Sequence, residues 1–231
     1  MNCVKRSSDY PMLPFEEAWR RMAAALAPLP PVRKALMEAP GLVLAEDVVA
    51  RDSMPPFAAA AMDGYAVISG DPSSERTVKG EQDAGLQMDL TVTQGTAVRI
   101  MTGAPLPAGA DAVIPFEQTK ETKGVVRLLA HVGQGANVRP IGQDIAAGET
   151  ALSKGSVLGP AEIGLLAAVG ESRVWVHPRP RVSIVATGDE LVAVDASPLP
   201  GQIRDANTAA LFAAASACGC EAEALPQPIG D

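Results

Sequence analysis

Aromatic residues, histidines and cysteines are scarce in this 231-residue chain, and their scarcity narrows the chemistry available to it. Aromatic residues make up 3% of the sequence, so any core must be built from Ala, Val, Leu and Ile. Two histidines give a histidine-based metal cluster or a Ser-His-Asp triad few residues to draw on. The three cysteines are an odd number, and Cys218 and Cys220 are too closely spaced to form a zinc pair. Any chemistry must therefore come from carboxylates, backbone amides and a bound metal ion.

Basic residues are outnumbered by acidic ones, 19 to 27, which gives a formal net charge of −8. A surface of this sign repels polyanions, which argues against a broad nucleic-acid interface and against an anionic membrane surface. The first ten residues contain no long apolar run, so no secretory signal peptide is expected. We therefore expect no nucleic-acid partner, no membrane partner, and a reducing, cytoplasmic location.

The opening of the chain has the periodicity of a helix. Hydrophobic residues make up 47% of the sequence and charged residues 20%, which is an ordinary composition for a globular protein. The length of the chain allows one or two hydrophobic cores. Apolar side chains recur at helical spacing from Phe15 to Leu26, which predicts a helix over residues 14–27. A second helix is predicted over residues 34–39, before Pro40 and Gly41, and a strand over residues 42–49.

Between residues 53 and 139 the pattern changes to short β-rich runs separated by Gly and Pro. The predicted strands cover residues 65–68, 97–101, 112–116 and 125–130. Several strands at this spacing, with turn residues between them, predict a small β-barrel or sandwich inserted after the helical opening. A short apolar helix is predicted over residues 160–169, ended by Gly170.

The last part of the chain reads as strand, helix, strand. Residues 182–186 form a nearly continuous apolar run, Asn207 is predicted to cap a helix through residue 217, and residues 221–225 form a second strand. This pattern predicts a βαβ unit with a right-handed crossover. A buried parallel sheet needs more than two strands, so we expect an incomplete parallel α/β domain here.

Three polar residues of the β-rich part lie on predicted turns. Asp63 begins an Asp-Gly pair, which is either a structural hairpin turn or a carboxylate held beside a cleft. Thr102 precedes Gly103 in a loop that either receives an anion through its N–H groups or is a plain turn. Asp144, taken alone, is typical of a solvated turn.

Two carboxylates are placed better for metal binding. Glu190 and Asp231 each follow the predicted carboxyl end of a parallel strand, where open α/β sheets bind ligands. Two hard oxygen donors there suit Mg²⁺ that bridges to substrate phosphates. The alternative is that Asp189 and Glu190 form a solvated turn after the strand.

Six motifs in a fixed order resemble those of the molybdopterin molybdenumtransferase family, the MoeA/gephyrin type. Each motif alone is weak, but the six together in the family's order are specific. They are AMDGYAV (61–67), VRIMTGAPLPAGADAVI (98–114), NVRPIGQDI (137–145), GLLAAVG (164–170), TGDEL (187–191) and GQIRDANT (201–208).

The resemblance implies a role in molybdenum cofactor biosynthesis. Enzymes of this family take adenylylated molybdopterin, release AMP in a Mg²⁺-dependent step and insert molybdate. The resemblance also implies a homodimer, with a molybdopterin adenylyltransferase as the upstream donor. The implied catalytic residues are Asp63, Thr102, Asp144, Glu190 and Asp231, with Thr187, Gly188 and Asp189 in cofactor binding and Glu190 and Asp231 as metal ligands.

The expected fold is a mixed α/β and β, multidomain chain. We predict a discontinuous, elongated linker or dimerisation domain over residues 13–52 and 140–178. A β-barrel-like domain over residues 53–139 is inserted into it, and residues 179–231 begin the molybdopterin-binding α/β domain.

The sequence departs from the family in two ways. Residues 58–60 are all alanine, where the family usually has Asp, Asn and Ser, so any polar contact of those side chains is lost. The family's later Ser-Gly-Gly and Pro-Gly-Asn-Pro loops do not follow, so turnover by this chain alone is in question. A non-catalytic dimerisation or scaffold module of the same family is the alternative function.

Overall fold

The computed structural model describes residues 12–86 and 88–226. Over these residues the chain has a mixed α/β fold, rich in short strands and with few helices. None of the described helices is long and apolar enough to cross a membrane. The α-helices are α1 (Phe15–Ala25), α2 (Pro160–Ala168) and α3 (Ala206–Ala217). The strands are β1 (Val32–Ala35), β2 (Val43–Leu44), β3 (Val48–Val49), β4 (Ala59–Ala60), β5 (Gly64–Val67), β6 (Glu75–Gln82), β7 (Thr96–Ile100), β8 (Ala112–Pro115), β9 (Thr119–Thr122), β10 (Val125–Leu128), β11 (Val138–Arg139), β12 (Thr150–Leu152), β13 (Arg173–His177), β14 (Arg181–Ile184), β15 (Leu191–Val192), β16 (Ile203–Arg204) and β17 (Glu221–Ala224).

The described residues fall into two compact units. Unit 1 comprises residues 12–45, 157–159 and 173–226, and unit 2 comprises residues 46–156 and 160–172. The three-part domain division expected from the sequence stays a prediction.

A six-stranded sheet dominates unit 2, with strand order β8-β5-β7-β6-β10-β9. Its pairs are antiparallel except for β6 and β7, which run parallel. The edge strands β8 and β9 are separated in sequence only by the 3₁₀ turn Phe116–Gln118. The Tyr65 hydroxyl on β5 donates to the Glu121 carboxylate on β9, near the opposite edge of the sheet. The sheet is therefore strongly curled.

Both faces of β5, β7 and β8 in this curled sheet are buried. Alternate residues of the central strands point to opposite faces, so they join two separate apolar clusters. One cluster contains Ala60, Ala66, Val92, Val98, Ile100, Ala104 and Val113. The other contains Tyr65, Val67, Ala97, Ala112, Ile114, Val126 and Val132. Burial on both faces explains why β8 reads as a continuous apolar run rather than as an alternating one.

Unit 1 is built from smaller sheets. The antiparallel sheet has the order β1-β13-β2, and β14 pairs in parallel with β17 from Arg181 opposite Glu221 to Ile184 opposite Ala224. Because α3 lies between β14 and β17 in the chain, the predicted βαβ unit is confirmed. A further parallel pair, β15 with β16, lies within the crossover.

Three predicted local features are wrong. Residues 34–39 do not form a helix: β1 ends at Ala35 and a 3₁₀ turn follows, because pairing of Lys34 with Val174 on β13 outweighs the weak propensity of so short a helix. Residues 42–49 form not one strand but two, β2 paired with β13 and β3 paired with β12. The cap of α3 is Asp205 and not Asn207, since the Asp205 carboxylate accepts a hydrogen bond from the Thr208 N–H.

Candidate functional site

The candidate site in unit 2 is organised around the short strand β4. On one edge the Ala60 N–H donates to the Ala104 carbonyl at 3.0 Å, and the Gly103 N–H donates to the Ala60 carbonyl at 2.8 Å. On the other edge Ala60 pairs with Val138 of β11. We call β4 together with residues 102–106 and 137–139 the β4 junction. It joins the segment just before motif 61–67 to motif 98–114, and the Ala61 N–H of the first motif donates to the Asn137 carbonyl of motif 137–145 at 2.9 Å.

Small side chains allow this close association. Ala59 is 4% exposed, and Ala60 and Ala104 are 1% and 0% exposed. These alanines include two of the three positions at which the sequence departs from the family's polar pattern. Polar side chains at positions 59 and 60 would be buried, and would need hydrogen-bond partners that methyl groups do not.

Asp63 and Thr102 are in direct contact. They are 39 residues apart in sequence, yet the Thr102 N–H and the Thr102 hydroxyl both donate to Asp63 Oδ1, each at 2.7 Å. The Asp63 carbonyl accepts a hydrogen bond from the Phe116 N–H at 3.2 Å, which also holds this loop in place. Both side chains remain exposed. The turn after β4 therefore presents a fixed carboxylate to solvent.

Hydrogen bonds favour the ionised form of this carboxylate. The bond from the Thr102 hydroxyl, followed by the bond from the Thr102 N–H, holds the pKa of Asp63 below its ordinary value. At neutral pH Asp63 is thus an acceptor and not a general acid. Both bonds reach Oδ1, so Oδ2 is the oxygen left for a ligand.

The backbone amides of Thr102 and Gly103 are already used within the protein. The Thr102 N–H donates to Asp63 and the Gly103 N–H donates to Ala60. An anion nest formed by these two amides, one of the alternatives for this loop, is therefore not supported.

Asp144 is part of an ion pair. The guanidinium of Arg139, the last residue of β11, donates to Asp144 Oδ2 at 2.5 Å, and the Asp144 N–H donates to the Met54 carbonyl at 2.9 Å. Each side chain of the pair is nearly half exposed. Because Arg139 pairs with Ala59 on β4, this ion pair lies beside the β4 junction.

Glu190 lies in unit 1 and is described separately. It is exposed, and it precedes β15 directly. A Cβ placed on Gly188 would lie 2.7 Å from one Glu190 carboxylate oxygen, so the glycine makes room for this side chain. The Leu191 N–H donates to the Gly188 carbonyl at 3.1 Å, which closes the turn of residues 188–191 directly after Thr187.

Of the two predicted metal ligands, only Glu190 lies among the described residues. Asp231 lies outside the described residues. Within residues 12–86 and 88–226, no three His, Cys, Asp or Glu side chains come together in a group that could hold a metal ion. The magnesium site at Glu190 and Asp231 thus stays a prediction.

Sequence reasoning missed one residue of this region, Arg139. Its signal was available, since Arg139 and Asp144 are opposite charges on either side of a Pro-Ile-Gly turn. The pairing of Asp63 with Thr102 had no such local signal, because it depends on β4 bringing two distant loops together.

Comparison with known proteins decides the family. Residues 13–170 match the family model described as the MoeA N-terminal region, domains I and II. The chain belongs to the MoeA family. The resemblance of the six motifs is thereby confirmed for the first four, which lie within the matched residues.

Relatives extend the match along the rest of the chain. Molybdopterin molybdenumtransferase 1 of Mycobacterium tuberculosis is 42% identical over 221 residues, covering 86% of this chain and 52% of the relative. The molybdopterin molybdenumtransferase of Staphylococcus aureus is 35% identical, covering 90% of this chain and 52% of the relative. A crystal structure of the molybdopterin biosynthesis MoeA protein from Pyrococcus horikoshii matches with a TM-score of 0.86 and 32% identity, covering 96% of this chain and 61% of that one. The chain thus spans about half the length of the curated relatives it matches.

Proposed function

We propose that this chain takes part in molybdenum cofactor biosynthesis, in the insertion of molybdate into adenylylated molybdopterin with release of AMP. Membership of the MoeA family and the names of the relatives support the pathway. The observation that carries the proposal to particular residues is the Asp63 carboxylate, which two hydrogen bonds from Thr102 fix in place beside the β4 junction.

Asp63 is suited to bind the pterin part of the substrate. An ionised carboxylate accepts hydrogen bonds and repels phosphate and molybdate, which are anions like itself. The pterin ring carries N–H donors. We therefore assign Asp63 Oδ2 to a pterin N–H group, with Thr102 as the residue that positions Asp63.

The pair of Arg139 and Asp144 has a different role in this proposal. The arginine brings the positive charge nearest in sequence to Asp144, and the two charges balance. Because Arg139 balances the charge of Asp144, an anionic substrate near the β4 junction is repelled less than it would be if both Asp63 and Asp144 were unpaired.

Magnesium is compatible with the side chain assigned to it. Glu190 is an exposed carboxylate, and Mg²⁺ in proteins is often bound through one or two carboxylates while it keeps several waters and contacts substrate phosphates. We propose Glu190 and Asp231 as its ligands, and Thr187, Gly188 and Asp189 as residues that contact the nucleotide part of the substrate. When bound, the ion would neutralise charge on the phosphates. The homodimer and the donating adenylyltransferase stay predictions from the resemblance.

The proposal is tested by calorimetric titration of adenylylated molybdopterin into variants of the chain. Asp63→Asn keeps the shape of the side chain but removes the charge, and we expect it to weaken binding at least about tenfold. Asp83→Asn changes an exposed aspartate elsewhere in unit 2 and should leave the affinity unchanged. Equal affinities for both variants, with unaltered thermal unfolding, would remove Asp63 from the site.

A further inference from the structure

An open pocket of about 390 Å³ lies within unit 1, beside the connection from β13 to β14. Its volume falls within the range of about 300–1,000 Å³ that small-molecule sites usually have. The connection from α1 to β1, the turn before β2 and the end of α3 form the rest of its wall. Most of this wall is apolar, and it includes Leu26, Leu29, Leu42, Val43 and Pro178.

The charged group of this pocket is a guanidinium. Arg179 and His177 line the pocket, and none of its described lining residues is an aspartate or a glutamate. The His177 ring is fixed, because its Nδ1–H donates to the Leu29 carbonyl at 2.7 Å. In a chain with a net charge of −8, the pocket therefore offers a local positive charge beside an apolar wall.

Most of the hydrogen-bonding capacity of Arg179 is unused. Its Nη1 donates to the Gly219 carbonyl at 3.1 Å. Among the described residues, Arg179 forms no ion pair with a carboxylate. A guanidinium has five N–H donors, so the edge formed by Nε–H and Nη2–H is left for a ligand. Two parallel donors of this kind match the two oxygens of a carboxylate.

Two glycines leave the space that the guanidinium occupies. A Cβ on Gly41 would lie 2.9 Å from Arg179 Nη2, and a Cβ on Gly219 would lie 3.3 Å from Nη1. Both glycines also have positive φ angles, +76° and +80°, which other residues rarely adopt. The backbone of two separate turns therefore sets the position of the guanidinium in the pocket.

This pocket is separate from the residues proposed for nucleotide and metal binding. Arg179 lies two residues before β14, and Gly219 lies two residues before β17, so the pocket is at the amino end of this parallel pair. Glu190 follows the carboxyl end of β14. The two groups of residues thus belong to opposite ends of the same strands.

We propose that this pocket binds a small organic monocarboxylate with an apolar body. The carboxylate pairs with Arg179, and the apolar body lies against Leu29 and Val43. A bare inorganic anion would leave the apolar wall unused, which is why the ligand class is an organic acid. The inference goes beyond the proposed function and does not depend on it, because the ligand is neither a pterin nor a nucleotide.

Titration of 3-phenylpropanoate into the ¹⁵N-labelled chain, followed by NMR, tests the proposal. We expect saturable shifts of the Gly41 and Gly219 amides and of the Arg179 Nε–H, with a dissociation constant on the order of 0.1–1 mM. Absence of saturable binding would overturn the proposal. Saturable shifts confined to residues outside the pocket would overturn the location.

Two matched ligands test the two halves of the recognition in the unmodified chain. The amide 3-phenylpropanamide keeps the apolar body but lacks the charge, and acetate keeps the charge but lacks the body. Each should bind at least about tenfold more weakly than 3-phenylpropanoate. Equal affinity of the amide would overturn the carboxylate pairing, and equal affinity of acetate would overturn the role of the apolar wall.

A pair of variants tests Arg179 itself. Arg179→Gln should weaken binding of 3-phenylpropanoate at least about tenfold. Arg173→Gln changes an exposed arginine at the other end of β13 and should leave the affinity unchanged. Equal affinities of the two variants, with circular dichroism showing both folded, would overturn the assignment of Arg179. If Arg179→Gln does not fold, the contrast between carboxylate and amide in the unmodified chain decides the proposal.

Discussion

Arg76 and Asp71 form a buried ion pair that holds one end of the six-stranded sheet together. Each side chain is 2% exposed, and Arg76 Nη1 lies 3.0 Å from Asp71 Oδ2. Arg76 also donates to the Asp71 carbonyl at 2.9 Å, and the Asp71 carboxylate accepts from the N–H groups of Gly95 at 2.6 Å and Ser73 at 3.0 Å. The pair thus ties the connection after β5 to the start of β7 and to β6.

Arg76→Leu should destabilise the chain strongly. It leaves the Asp71 carboxylate buried without its counter-charge and removes the donors to two backbone carbonyls. Removing one partner of a buried pair costs about 3–5 kcal/mol, a large part of the 5–15 kcal/mol by which proteins are typically stable. Arg51→Leu, in the same unit, breaks an ion pair with Glu171 in which the arginine is 80% exposed. That control should cost less than about 1 kcal/mol.

Urea unfolding at pH 7, followed by circular dichroism, measures both changes in the free energy of unfolding. Arg76→Lys keeps a positive charge but loses the planar guanidinium, so it should fall between wild type and Arg76→Leu. A loss of less than about 1 kcal/mol in Arg76→Leu, equal to that of the exposed control, would refute the assignment of this pair as a structural anchor.

Three further predictions follow from single contacts. Thr102→Val removes the hydroxyl donor and should raise the pKa of Asp63 towards its ordinary value, which an NMR titration of the carboxyl carbon measures; an unmoved pKa would show that the hydroxyl bond is unimportant. Ile114→Ala empties part of a fully buried position and should lower the free energy of unfolding by about 2–5 kcal/mol, whereas a loss near zero would mean that the curled sheet is not packed there. Asp205→Ala removes the cap of α3. Hydrogen bonds from Thr208 lower the pKa of the Asp205 carboxylate, so this cap stabilises the helix above about pH 4 and weakens on acidification. The variant should therefore lose that pH dependence of helix content, and an unchanged dependence would contradict the cap.

Sequence analysis correctly predicted elements with a strong apolar periodicity and with pairing partners in the same part of the chain. The helix at α1 and the parallel pair of β14 and β17 are confirmed. It failed where tertiary pairing decided the outcome, as at residues 34–39, which pair with β13 instead of forming a helix. It also missed β6, because Val78 is the one apolar side chain in Glu75–Gln82 and the most buried side chains of that strand, Arg76 and Gln82, are polar.

The candidate site was likewise predicted only in part from the sequence. The motifs identified Asp63 and Thr102 as separate loop residues, but their contact depends on the backbone pairing of β4 with two distant segments. The buried pair of Arg76 and Asp71 was missed because a charged residue within a strand normally predicts a solvated face. These contacts are set by the topology of the sheet and not by local pattern.

The most direct test of the central claim is calorimetric titration of the unmodified chain with adenylylated molybdopterin, with and without Mg²⁺. The account predicts saturable binding of one substrate per chain, tighter when Mg²⁺ is present. A folded chain that shows no binding under either condition would contradict it, and would favour the scaffold function for this part of the MoeA family.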